Sequence, residues 1–121
     1  MSDAKRRAWR FGRWAETGAA LSIRCRGYRI VARRFKCPVG EIDIVAQRGN
    51  VLSFMEVKAR QDLSTAAESL GPRQIQRITR AAEAFLMQRP EWADCDIRFD
   101  MILVRPWRLP VHVKDAWRPE R

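Results

Sequence analysis

With 121 residues, 46% of them hydrophobic and 31% charged, the chain is long enough to fold as one packed domain and too apolar to stay disordered. Lys and Arg outnumber Asp and Glu 24 to 14, a net charge of +10, and 20 of the 24 cations are Arg. That excess points to a polyanion, nucleic acid first, because the planar guanidinium matches phosphate; the bland alternative is a charge that serves only solubility.

Cys25, Cys37 and Cys95 stand far apart, with no Cys-x-x-Cys pair among them. This excludes a zinc knuckle and a secreted disulfide framework. His112 is the sole histidine, so a His-rich metal cluster and a Ser-His-Asp triad lack material. No window has the apolar length of a membrane helix, and "MSDAKRRAWRFGRWAE" lacks the apolar stretch of a signal peptide. The expectation is a cytoplasmic protein with reduced thiols and no membrane partner.

Residues 1–12 read as a flexible basic arm, in which Lys5, Arg6, Arg7 and Arg10 alternate with Trp9 and Phe11. A single domain then spans 13–121. Residues 13–26 read as a helix ended by Gly27. Its stripe Trp14, Gly18, Leu21, Cys25 and its roughly opposite stripe Glu16, Ala20, Ile23 predict a helix sandwiched on two sides. Glu16 then faces protein, either in a functional role or as a carboxylate favoured near a helix start. "YRIVARRF" (28–35), "EIDIVAQ" (41–47) and "VLSFMEVKA" (51–59) are strands, and Gly49-Asn50 is the turn of a hairpin between the last two. Residues 61–70 read as a loop. Pro72 opens a second helix at its first position. Its core stripe is Ile75, Ile78, Ala82, Phe85 and Leu86, with Arg73, Arg77 and Arg80 along one flank and Gln74 between flank and stripe. "DIRFDMILV" (96–104) is the last main strand, and "PVHV" a short extra one.

The hairpin carries the chemistry. With a two-residue loop, residue 48 pairs with 51 and 46 with 53, so Asp43 falls opposite Glu56 and Glu41 opposite Lys58, all on one face. Ile42 with Val57 and Ile44 with Met55 make the other face apolar. A four-residue loop would keep the faces but move the pairing along by two. Opposed side chains have Cβ atoms about 5 Å apart, and two ionised carboxylates there repel. A divalent cation resolves that conflict, because Mg²⁺ or Mn²⁺ takes carboxylate, water and phosphate oxygens. An ammonium at Lys58 would then position a water or stabilise developing charge. The alternative is a satisfied cluster of ion pairs, Glu41 with Lys58 and Asp43 with a neighbouring Arg.

"GEIDIVA" and "FMEVKAR" resemble the signature of the YraN-like family of small bacterial proteins. That family is similar to archaeal Holliday junction resolvases and to the PD-(D/E)xK nucleases. The likeness extends to the helix with Glu16, Gly27-Tyr28, "PRQIQRITRAAEAFL", "RFDMILV" and "DAWRP". It implies an α/β, restriction-endonuclease-like αβββαβ core with a mixed central sheet flanked by helices. It implies Asp43 and Glu56 as metal ligands, joined by the Val57 backbone carbonyl, and Lys58 as the catalytic lysine. Glu16 matches the first-helix acid of the resolvases, and Gln74 falls where related nucleases place Gln or Lys. Ile42 stands where the wider superfamily has proline, which removes no ligand.

The resulting expectation is a Mg²⁺- or Mn²⁺-dependent endonuclease acting on branched or flapped DNA. Arg73, Arg77, Arg80, Arg60 and Arg10 are the expected phosphate contacts. The rival is a non-catalytic nucleic-acid-binding or adaptor protein, for DNA or RNA, that keeps this fold. The oligomeric state stays open, a homodimer included.

Overall fold

The computed structural model describes residues 3–60 and 70–119, with side chains from residue 13 onward. Helix α1 spans Asp3–Cys25, strands β1, β2 and β3 span Arg29–Cys37, Gly40–Arg48 and Val51–Ala59, and helix α2 spans Pro72–Gln88. A 3-10 turn at Pro90–Trp92 leads to β4 (Asp96–Val104) and the short β5 (Val111–Val113). The five strands form one mixed sheet in chain order. The β1–β2, β2–β3 and β4–β5 pairs are antiparallel, and β3–β4 is parallel. The class is α/β. Among the described residues, no helix is long and apolar enough to cross a membrane.

The elements follow local chemistry. Helix α1 closes with Gly27 at φ 90°, where the Gly27 N–H bonds Arg24 O (3.0 Å) and the Tyr28 N–H bonds Ile23 O (3.0 Å). This is a Schellman closure, and its left-handed residue suits glycine. Tyr28 then packs in the same apolar cluster as Ile23. The hairpin register is the one expected for a two-residue loop: Arg48 pairs with Val51, Ala46 with Ser53 and Ile44 with Met55. Gly49 sits at φ 58° at the first turn position, as a type II′ turn requires.

Three details depart from expectation. The stretch 3–12, expected as an arm, is helical in its backbone, since α1 begins at Asp3 rather than at 13. Its Ala, Lys and Arg are strong helix formers whose basic spacing hides any apolar stripe. Helix α1 is not sandwiched: Ala15, Ala19, Ala20 and Ile23 are buried, while Trp14 and Leu21 are exposed. Ile42 packs with Val45, Phe54 and the α2 residues Ile78 and Phe85, not with Ile44 and Met55. Its neighbour Asp43 lies across β1 from Arg34 in the register of Arg33 with Ile44 and Phe35 with Ile42, and Arg34 has φ 53°. The left-handed residue is an irregularity of β1 beside the point where β2 itself departs from simple alternation, Ile42 and Ile44 packing in different clusters.

Two cores sandwich the sheet. One holds Ala15, Ala19, Ala20 and Ile23 of α1 against Ile44, Ala46, Met55 and Ile102. The other holds Ile78, Ala81, Ala82 and Phe85 of α2 against Val45, Leu52, Phe54 and Phe99. Helix α2 also crosses the start of β2 in direct backbone contact: a Cβ built on Gly40 would lie 2.3 Å from the Arg77 carbonyl oxygen. Gly40→Ala should therefore push α2 off the sheet and cost about 1–3 kcal/mol. Urea unfolding checks this; a midpoint equal to the parent's would show that the contact yields freely.

Candidate active site

The β2–β3 ladder stops at Ile44–Met55. Beyond it the Asp43 side chain occupies the gap, and Oδ2 accepts the Val57 N–H at 2.8 Å. Asp43 is thus fixed by the neighbouring strand's backbone. In a strand the N–H and C=O of one residue share an edge, so the Val57 carbonyl belongs to the same side of β3 as Asp43.

Glu56 is 7% exposed and fixed from two directions. Gln74 Nε2 of α2 donates to Glu56 Oε1 at 2.8 Å, and Lys58 Nζ lies 3.4 Å from the same oxygen. Lys58 also donates to Gln74 Oε1 at 3.2 Å. Gln74 therefore bridges the acid and the amine, one end of its amide to each. Helix α2 presents it there because Pro72 fixes where the helix starts.

The expected ion pairs are not the ones that form. Lys58 pairs with Glu56 rather than Glu41, and the Asp43 carboxylate is held by a backbone amide. Burial is the main reason the Asp43 carboxyl lies above its ordinary range, opposed by the Val57 N–H and aided by the charges of Glu16 and Glu41. Burial also pushes Glu56 up to about 8, followed by the Asp43 charge and opposed by Lys58. Two acids pressed together and out of water hold a proton between them unless a cation replaces it.

That proton sets the sign of a pH dependence. The folded state keeps it between the ordinary value of 4.5 and about 8, while the unfolded chain releases it. Stability from this group is complete below the unfolded value and is lost as pH rises through the folded one, by up to about 1.4 kcal/mol for each unit crossed. Asp43, also raised, acts with the same sign. In EDTA the melting temperature should fall between about pH 5 and pH 8, and Glu56→Gln should flatten the fall. A curve rising over that range would contradict the arrangement.

Asp43, Glu56 and Gln74 line an open cleft of 530 Å³ between β2, β3 and α2, together with Glu41, Arg73 and Arg77. Arg80 lines the next groove along α2, which Arg73 shares. The Arg60 guanidinium turns back to the Ala59 carbonyl at 2.7 Å. The Arg10 side chain lies outside the described residues. Glu16 does not join the carboxylate pair: Arg34 Nε and Nη2 both hold its Oε2, at 2.7 and 2.6 Å. No group of three or more Asp, Glu, His or Cys side chains poised for a metal occurs among the described residues. Asp43 and Glu56 are a two-carboxylate donor set, all oxygen, which suits a hard divalent ion that keeps water and phosphate in its shell.

A second polar centre escaped the sequence reading. Asp100 is fully buried and accepts from Ser53 Oγ (2.7 Å), Arg98 Nε and Nη2 (both 2.8 Å) and the Asp115 N–H (3.0 Å). His112 Nε2 lies 2.8 Å from Asp100 Oδ2, and Arg98 Nη2 also reaches the Tyr28 hydroxyl at 2.6 Å. Burial alone would raise the Asp100 carboxyl, but its hydrogen bonds from His112, Arg98, Ser53 and Asp115 hold it well below the usual range. Asp100 and Arg98 stand two apart in "RFD", on one face of β4, and that spacing was the only signal for the centre in the sequence.

The family described as Uncharacterised protein family UPF0102 matches residues 15–104, a span that holds the carboxylate cleft and, of the second polar centre, Tyr28, Ser53, Arg98 and Asp100. The chain belongs to this family. A UPF0102 protein of Paramagnetospirillum magneticum is 54% identical over 121 residues, covering 97% of this chain and 94% of that protein. UPF0102 proteins of Parvibaculum lavamentivorans and Rhodopseudomonas palustris are each 54% identical, over 93% and 91% of this chain and 84% and 86% of theirs. The UPF0102 match takes in Glu16, Asp43, Glu56, Lys58, Gln74 and Asp100, and ends with β4. The YraN-like resemblance read from "GEIDIVA" and "FMEVKAR" is thereby shown.

Proposed function

We propose that this UPF0102 protein is a divalent-metal-dependent endonuclease that hydrolyses phosphodiesters in branched or flapped DNA. The observation that carries the reading is one arrangement: the buried carboxyl group of Glu56 and the half-buried one of Asp43 on adjacent strands, both raised in pKa, with an amine on one of them, in a cleft bordered by arginines. A charge cluster built only for stability would pair each acid with a base; here Asp43 and Glu56 compete for a proton. The order helix, three antiparallel strands, helix, parallel strand supports a restriction-endonuclease-like core.

Asp43 and Glu56 are the residues that would hold Mg²⁺ or Mn²⁺, with the Val57 carbonyl beside them. Bound there, such an ion supplies Lewis-acid stabilisation of phosphate charge and lowers the pKa of a coordinated water. The remaining work falls to this chain's own groups. Lys58, 13% exposed at its side chain and anchored by Gln74, holds a positive charge where negative charge grows. Gln74 keeps Glu56 and Lys58 in fixed relation. Arg73 and Arg77 bind the phosphates on either side. Glu16 acts at one remove, by orienting Arg34 and adding negative charge near Asp43.

The test is direct. Pure protein is incubated with labelled duplex, flap, four-way junction and RNA, with Mn²⁺, Mg²⁺ or EDTA. Metal-dependent cleavage of flap or junction is expected. Tight binding with no cleavage under any metal would make the protein a nucleic-acid-binding or adaptor protein instead.

A further inference from the structure

Beside the carboxylate cleft, on the other side of the α2 N-terminus, lies a larger groove of 810 Å³. Its walls are α2 and the C-terminal segment, and its lining includes Arg73, Ile75, Arg80, Trp117 and Arg118, with Glu83 as an acid among them. We propose that this groove is a second nucleic-acid subsite, which holds the unpaired strand running on from the phosphodiester in the carboxylate cleft; this rests on the reading of that cleft given above.

Four observations carry it. The two clefts are continuous at Arg73, which lines both, so one strand's backbone passes from one to the other along a shared guanidinium. Arg73, Arg77 and Arg80 follow one face of α2 over about 10 Å of helix, a row of cations parallel to the path. The floor is not only basic. Trp117 is largely buried against Phe99, their ring centroids 5.4 Å apart, and its indole Nε1–H is enclosed with no acceptor among the described residues. With Trp117 filling the floor from beneath, Pro72, Ile75 and Pro119 give the groove an apolar lining, which suits the faces of unpaired bases, whereas a duplex would offer the groove only phosphates. Finally, the wall is built rather than loose. The Asp115 N–H is tied to buried Asp100 and the Ala116 N–H to the Phe99 carbonyl at 2.8 Å, so the Asp100 centre pins the segment that carries Trp117 and Arg118. Arg118 meets Asp115 at 2.9 Å in an exposed pair, the kind that yields readily to a phosphate.

The experiment measures binding of thymidine oligomers of about 4 to about 12 nucleotides by fluorescence anisotropy in EDTA, for the parent and for Arg80→Ala/Arg118→Ala. The double variant should bind the longer oligomers about tenfold more weakly, with the logarithmic salt slope reduced by about 0.7 for each lost phosphate contact. It should lose more affinity for a flap with a single-stranded arm than for a blunt duplex. An unchanged slope, or equal losses on flap and duplex, would overturn the proposal. The thermal shift of the same proteins with millimolar Mn²⁺ separates the two readings. No shift in the parent would overturn the carboxylate cleft as a metal site, while the slope and the flap-against-duplex comparison decide the groove.

Discussion

Asp43→Asn and Lys58→Ala should each reduce cleavage by at least about 10²–10³-fold, the scale of losing one preorganised charge-stabilising group, while both still bind DNA in EDTA. The first exchanges a carboxylate oxygen for an amide of the same size, so the Val57 N–H keeps an acceptor and the fold keeps its contacts. What disappears is one negative charge from the donor pair. Mn²⁺ should raise the melting temperature of the parent and leave Asp43→Asn unmoved. In Lys58→Ala both carboxyls remain, so stabilisation by Mn²⁺ persists without turnover. Binding in EDTA should improve slightly in Asp43→Asn, because a carboxylate facing phosphate repels it. If the cluster were only structural, removal of Lys58 would strand Glu56 and the variant would melt early, with or without metal. Early melting in both variants, with no metal effect in the parent, would refute the nuclease reading.

Asp100→Ala should destabilise the molecule strongly, by about 3–5 kcal/mol, because it leaves a paired cation and several donors without their shared acceptor. Arg98 would keep only the Tyr28 hydroxyl, and Ser53, His112 and the Asp115 amide would lose a partner together. Asp100→Asn should cost less, since one amide oxygen still accepts from some of them. Chemical denaturation of the two variants checks the order; near-parent stability of Asp100→Ala would mean that the centre is dispensable. The same variant should weaken single-strand binding even at temperatures where it is folded, because the wall with Trp117 and Arg118 loses its anchor.

Much of the site was legible because it is local. A strand alternates with period two, a Gly-Asn turn sets a register, and the two together bring Asp43, Glu56 and Lys58 toward one place without any tertiary knowledge. Gln74 was placed correctly in outline because helical spacing put it beside both the basic flank and the apolar stripe. What local rules missed came from outside the hairpin. Ile42 turned toward α2, beside a stretch of β1 where Arg34 adopts a left-handed backbone that no propensity assigns to arginine. Glu16, read as a first-helix acid in a supporting role, is held by the same Arg34. The Asp100 centre draws on four strands or strand ends and the C-terminal segment, and no single strand holds more than two of its members. The exposed stripe of Trp14 and Leu21 looked like a second buried face because period reports spacing and not what covers it.

The hydrogen bond from the Val57 amide to Asp43 makes that amide a reporter. Most strand amides donate to a carbonyl, whose charge never changes; this one donates to a group that titrates and that a cation would engage. In a proton–nitrogen correlation spectrum its resonance should travel with pH as the carboxyl pair ionises, and move again when Mg²⁺ is added. A single labelled backbone position thus reads the ionisation of Asp43 and the arrival of an ion, with no substrate and no turnover needed.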